Sequence, residues 1–199
     1  MKITASVVLR QDKVNARNEA PVCIRITADR KTTYKTLFRI PITDWDAKSK
    51  EIRKTASANS TQQQRLEYWQ AFNDYAFSDA NFSRIFNKRK PTTDHWMDFS
   101  IGSSACHIAV SQIQKRKAVD VELYINDDKE LFKSLFAHKD EIEKNMEMEL
   151  EWKELPERKA SRILIEKTVD LDDRATWPEQ FDYIMDTCIK MKRAFKRYL

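Results

Sequence analysis

One stretch constrains the fold more than any other. KAVDVELYI, Lys117 to Ile125, alternates without a break: Val119, Val121, Leu123 and Ile125 point one way, Asp120, Glu122 and Tyr124 the other. That is the period of a half-buried strand. Asn126-Asp127-Asp128 follows and supplies an N-cap and negative charge at a helix start. Lys129 to Met146 then places Leu131, Phe132, Leu135, Phe136, Ile142 and Met146 on one broad stripe, which predicts a single amphipathic helix. Leu150 to Lys153 and Ser161 to Lys167 read as two further short strands. A one-sided sheet and a one-striped helix must bury each other, so this segment is the core of a domain.

The flanks extend the same domain. His95 to Ile101 reads as a strand, ended by Gly102-Ser103-Ser104, and Cys106 to Gln114 forms a hairpin with the Lys117 strand. Arg65 to Ala76 is helical, with Leu66, Trp69, Phe72 and Ala76 at core spacing and Tyr68 and Tyr75 beside them. An aromatic row of this kind packs a core more readily than it stacks bases. Thr176-Trp177-Pro178-Glu179 has the shape of a capping box and opens a last helix striped by Phe181, Ile184, Cys188, Met191 and Phe195.

The front of the chain is different. Ile3 to Arg10, Pro21 to Ala28 and Thr32 to Ile40 alternate as three strands of an antiparallel meander. One face is apolar. The other is expected to carry Arg10, Arg25, Thr27, Thr33, Lys35 and Arg39, with Arg30 and Lys31 at the tip. Polar Thr55 to Gln64 is expected to be a linker. The fold class expected is therefore α+β: a small three-stranded antiparallel sheet domain over 1–60, then an α+β domain over 61–199 with an antiparallel sheet packed against helices.

Charge supports the division. Residues 1–60 carry a net charge of +7, residues 61–90 of +2 and residues 91–199 of −4. A basic front directs attention to a polyanion, and an acidic body to a protein partner. Gly102 is the sole glycine, which excludes phosphate loops and dinucleotide turns built on several glycines. Cys23, Cys106 and Cys188 are widely spaced, without a C-x-x-C, and fit buried thiols in a reducing compartment. No apolar run is long enough for a membrane span, and MKITASVVLRQDK has no signal-peptide core, so a cytoplasmic location is expected.

Two resemblances add to this reading. Pro21 to Lys54 resembles the N-terminal arm-type DNA-binding domain of Bacteroidetes-like tyrosine recombinases, through Val22, Ile24, Arg25, Ile26, Trp45, Asp46 and Lys48. The resemblance covers residues 1 to about 60 and implies a three-stranded sheet that grips duplex DNA. The recombinase catalytic domain is missing: no His-x-x-Arg precedes Tyr198, so strand transfer does not carry over. Residues 62–199 resemble a bacterial domain family of unknown function found at the C-terminus of putative nucleases and restriction-type proteins. HWMDFSIG, VDVELYI, LEWKELPERKASRI and DLDDRATWPEQFDYIMD carry that resemblance, which implies no established activity.

The expected function is non-catalytic DNA binding in a bacterial or mobile-element system, through Arg10, Arg25, Arg30, Lys31, Thr33, Lys35 and Arg39, without a cofactor or metal. Two alternatives stand beside it. Metal-dependent nucleases set an Asp and a Glu-x-Lys on adjacent strands. Glu151-Trp152-Lys153 with Asp120 or Glu122 would be such a set, with Mg2+ as cofactor. Glu122, Glu151 and Arg162 also fit a structural cross-strand network. The other alternative is an adaptor that recruits a protein through residues 91–199. Oligomeric state is left open.

Overall fold

The computed structural model describes residues 3–28 and 31–199, and their side chains except at 43 and 46–59. The chain divides into two compact units, Met1–Thr61 and Gln62–Leu199. No helix among the described residues is long and apolar enough to cross a membrane.

The first unit is a meander of β1 (Ile3–Leu9), β2 (Glu19–Ala28) and β3 (Lys31–Pro41), antiparallel and in that order. β1 and β2 pair without interruption, from Ile3 opposite Ala28 to Leu9 opposite Val22. β3 does not. Val22 faces Phe38, but Cys23 faces Thr36, so Leu37 is an unpaired extra residue. A bulge of one residue reverses the alternation of faces on one side of it relative to the other. Ala20 to Cys23 are buried, whereas the far half of the sheet is largely exposed.

α1 (Trp45–Ala76) runs straight through Thr55 to Gln64, the stretch expected to be a linker. That expectation is corrected by the backbone. The segment holds neither glycine nor proline, and its alanines and glutamines are good helix formers. From Gln62 onward the helix belongs to the second unit. α2 (Ala80–Ile85) follows, capped by Asp79, whose carboxylate accepts from the Phe82 amide at 2.7 Å.

The second unit holds a five-stranded antiparallel sheet. It comprises β4 (Trp96–Ser100), β5 (Cys106–Ile113), β6 (Ala118–Ile125), β7 (Glu151–Lys153) and β8 (Ser161–Thr168), in the spatial order β4-β5-β6-β8-β7. One face carries Met97, Phe99, Ile108, Val110, Val121, Leu123 and Ile163 into the core. α1, α2, α3 (Lys129–Phe136), α4 (Lys139–Met146) and α5 (Trp177–Phe195) supply its other wall through Trp69, Phe72, Phe82, Leu135, Ile142, Phe181 and Met191. All three cysteines are buried and free. The fold is thus α+β, with a small antiparallel sheet ahead of a larger sheet and its helices.

Two local expectations change. The single helix over Lys129 to Met146 is two helices, broken at Ala137 and His138. The stripe has no apolar side chain between Ala137 and Ile142, so nothing there holds a straight helix against the core. Thr176 does not close a capping box. Its hydroxyl donates to the Asp173 carbonyl at 2.9 Å and accepts from Gln180 at 2.8 Å.

Lys129 ties α3 to the connection between β7 and β8. Its ammonium donates to the carbonyls of Glu154, Leu155 and Ala160 and to the Ser161 hydroxyl. Lys129→Ala leaves those acceptors to water and is expected to lower the stability of this unit by about 1–2 kcal/mol in urea melts. A change too small to measure would mean that the loop holds itself without the ammonium.

Candidate nucleic-acid interface and the open sheet face

Register decides which side chains of the first unit share a face. Pairs directly opposite on neighbouring strands point the same way. Ser6, Arg25 and Tyr34 form one row, Thr4, Thr27 and Thr32 the next. Arg39 lies opposite Pro21. The Arg10 amide bonds the Pro21 carbonyl, which puts Arg10 in that same row. This face therefore gathers Arg10, Arg25, Thr27 and Arg39 with hydroxyls of Thr4, Ser6, Thr32, Tyr34 and Thr36.

Thr33 and Lys35 are on the other face, opposite Ile26 and Ile24, and Lys31 is opposite Ala28. The expected co-facial set is corrected for Thr33 and Lys35: the Leu37 bulge turns them, with Lys31 at the strand's start, to the aliphatic side and brings Thr32, Tyr34 and Thr36 to the arginine side. Arg30 lies outside the described residues.

The three arginines of this face are held differently. Arg10 forms an ion pair with Asp12, its Nε donating at 2.7 Å, and lies 4.3 Å over the Tyr34 ring. The Arg10 guanidinium holds the Asp12 carboxyl down at about 2. Arg39 donates to the carbonyls of Lys13 at 3.2 Å and Glu19 at 3.3 Å, bracing the β1–β2 loop. Arg25 is exposed and, among the described residues, has no hydrogen-bond or ion-pair partner; Lys31 and Lys35 are likewise unengaged. Thr27 and Thr32 share a hydroxyl hydrogen bond at 3.1 Å beside Arg25. Two guanidinium groups flanking a tyrosine, with a hydroxyl row alongside, present donors suited to phosphate oxygens and base edges.

The second unit's sheet has a second face, opposite the one its own helices pack against. Trp96, Ser111, Asp120 and Glu166 form one row there; Asp98, Ala109, Glu122, Leu164 and Glu151 form the next; His107, Tyr124, Arg162 and Lys153 lie in a third. Short Ala109 and Ser111 leave a hollow of about 400 Å³, with Asp120 and Glu122 among its lining residues. Asp120 is 5% exposed and Glu122 3%. Among the described residues, Asp120 Oδ1 and Glu122 Oε2 have no hydrogen-bond partner. Arg162 Nη1 stands 3.6 Å from Glu122 Oε2, an ion pair too long for a hydrogen bond. Burial pushes the Glu122 carboxyl up to about 7 against the opposing pull of Arg162, and pushes Asp120 upward as well. Burial also lowers the His107 imidazole.

The nuclease set is only partly assembled. Asp120 and Glu122 lie together, but Leu164 separates Glu122 from Glu151, which pairs with Lys153 at 2.9 Å. Among the described residues no group of three or more His, Cys, Asp or Glu is arranged to hold a metal ion. Of the cross-strand network, Glu122 and Arg162 are joined and Glu151 stands outside. Nothing in the sequence flagged the hollow itself, because its depth comes from small residues on β5 beneath large ones on neighbouring strands.

No curated protein and no solved structure matches the chain. Two family models do. Residues 7–85 match one described as an Arm DNA-binding domain, which takes in the whole meander beyond its first few residues. Residues 64–199, more than half of the chain, match one described as a domain of unknown function, DUF4268. With the helix-backed five-stranded sheet lying within that span, the chain belongs to the DUF4268 family.

Proposed function

We propose that this protein is a non-catalytic DNA-binding protein of a bacterial or mobile-element system, and that its first unit docks on duplex DNA through the arginine and hydroxyl face of its sheet. The observation that carries the reading is the match of residues 7–85 to an Arm DNA-binding domain, on a sheet whose Arg25 is exposed and unengaged. Arg25 contacts phosphate or a base edge, Arg10 stacked on Tyr34 gives the face a second cation, and the threonine row supplies hydroxyl donors. Arg39 keeps the loop in place. Lys31 and Lys35 project from the opposite side and reach phosphate at the rim.

The test is duplex binding by the full chain across a salt titration. Affinity is expected to fall steeply with salt, and Arg25→Ala to weaken binding to all sequences while reducing the log–log salt slope by about one. Lys35→Ala is expected to do less. Absence of duplex binding at low salt ends the proposal. A larger loss from Lys35→Ala than from Arg25→Ala would turn the aliphatic face to the DNA instead.

A further inference from the structure

We infer that the hollow on the open face of the second unit's sheet is a binding site for an organic cation, a guanidinium or protonated amine. This goes beyond the DNA-docking reading and does not depend on it. Two carboxylates are buried there with an oxygen each, Asp120 Oδ1 and Glu122 Oε2, left without a hydrogen bond among the described residues. A buried acceptor without a donor is unfavourable, and a buried carboxylate more so. The chain's own cation comes close without completing the site, since Arg162 stops at 3.6 Å from Glu122.

The walls fit the same chemistry. Trp96, 43% exposed, stands on one side of the hollow, and Tyr124 on the other, already accepting Arg162 over its ring at 5.3 Å. Aromatic faces beside carboxylates attract cations through the ring quadrupole as well as through charge. The volume of about 400 Å³ lies within the range of small-ligand sites. The negative charge here disfavours phosphates and carboxylic acids. The group is presented by a small amine or by a basic side chain of a partner protein; both place the same cation against Asp120 and Glu122.

Proton linkage follows from the surroundings of Glu122. Among the described residues, Asp120 and Tyr124 on its own strand, Arg162 on β8, Lys153 on β7 and His107 on β5 surround it, with Asp98 on β4 and Glu151 on β7 farther along its row. With its carboxyl at about 7, Glu122 is protonated in mild acid and charged above neutrality. Cation binding therefore strengthens as pH rises through that point.

The experiment uses the full chain and two probes: agmatine, and an end-blocked peptide whose one charged side chain is a central arginine. Binding is followed by calorimetry and by the indole and aromatic NMR signals of Trp96 and Tyr124. The expected result is saturable binding of at least one probe, tighter by about tenfold or more at pH 8 than at pH 5.5. Binding of agmatine identifies a free cation as sufficient; binding of the peptide alone identifies a presented side chain. The Asp120→Asn, Glu122→Gln double variant is expected to lose binding while still unfolding in a cooperative thermal transition, at a temperature no lower than that of the native chain at pH 8. If that variant does not fold, Trp96→Ala is the second arm and should weaken binding severalfold. Failure of both probes, undiminished binding in the folded double variant, or undiminished binding in Trp96→Ala would overturn the assignment.

Discussion

Replacing Phe72 with alanine is expected to destabilise the second unit by about 3–5 kcal/mol. Phe72 is fully buried. Its ring lies 6.2 Å from Trp69, 6.2 Å from Phe82, 6.3 Å from Phe99 and 5.5 Å from Phe181, in edge-on geometry each time. These rings come from α1, α2, β4 and α5, so the side chain joins three helices to the sheet. Truncation removes transfer energy and leaves a cavity that rigid aromatic neighbours cannot collapse to fill. Lost aromatic edge contacts are part of that total and place it toward the upper end of the range. Urea denaturation followed by tryptophan fluorescence measures the change. Tyr75, on the same helix but half-exposed with its hydroxyl donating to Asp182 at 2.8 Å, is the comparison: Tyr75→Phe is expected to lose less than about 1 kcal/mol. Equal losses at the two positions would mean that the aromatic cluster does not organise this unit.

The same helix shows why parts of the structure were legible in the sequence. Trp69 and Phe72 repeat at helical spacing, and burying them is the only way to keep so much apolar surface from water. β6 was legible for a parallel reason, since strict alternation from Val119 to Ile125 admits one strand phase. β3 was different. From Thr32 to Ile40 the alternation favours a phase that the Leu37 bulge then reverses, and a bulge leaves no composition signal when the extra residue is an ordinary leucine. The result was a correct strand with part of its side chains assigned to the wrong face, Lys35 among them. Thr55 to Gln64 misled in another way: polar, low-complexity sequence resembles a linker, but without glycine or proline it does not interrupt a helix. The hollow over Asp120 and Glu122 was illegible because both carboxylates read as outward positions of a half-buried strand. Their burial arises from neighbours on β4, β5 and β8, which a reading along one strand cannot supply.

That burial sets up the second large effect. Glu122→Gln is expected to stabilise the second unit by up to about 3 kcal/mol at pH 8, while making little difference near pH 4. In the folded chain Glu122 ionises at about 7, against an ordinary 4.5. A tenfold difference in proton affinity between the folded and unfolded chains is worth about 1.4 kcal/mol. Below pH 4.5 the carboxyl is neutral in both folded and unfolded chains and exerts no linkage. Between 4.5 and 7 the folded chain holds a proton that the unfolded chain has released, so stability falls as pH rises. Above 7 both states are ionised and the full penalty is present. Asp120, shifted the same way by burial, adds to the fall, whereas His107, shifted downward, opposes it below its ordinary value. Subtracting the variant's profile from that of the native chain isolates Glu122. Glutamine keeps the shape and can turn its carbonyl oxygen toward Arg162, so the ion pair at 3.6 Å is replaced by a neutral contact rather than an orphaned guanidinium; Arg162 is part-exposed and retains water. Thermal and urea melts from pH 4 to 8 measure the difference. A gap that opens between pH 4.5 and 7 and then levels off is the expected outcome. A variant less stable than the native chain at pH 8 would show that the Glu122–Arg162 attraction exceeds the desolvation of the carboxylate, and that the native carboxyl ionises at or below its ordinary range.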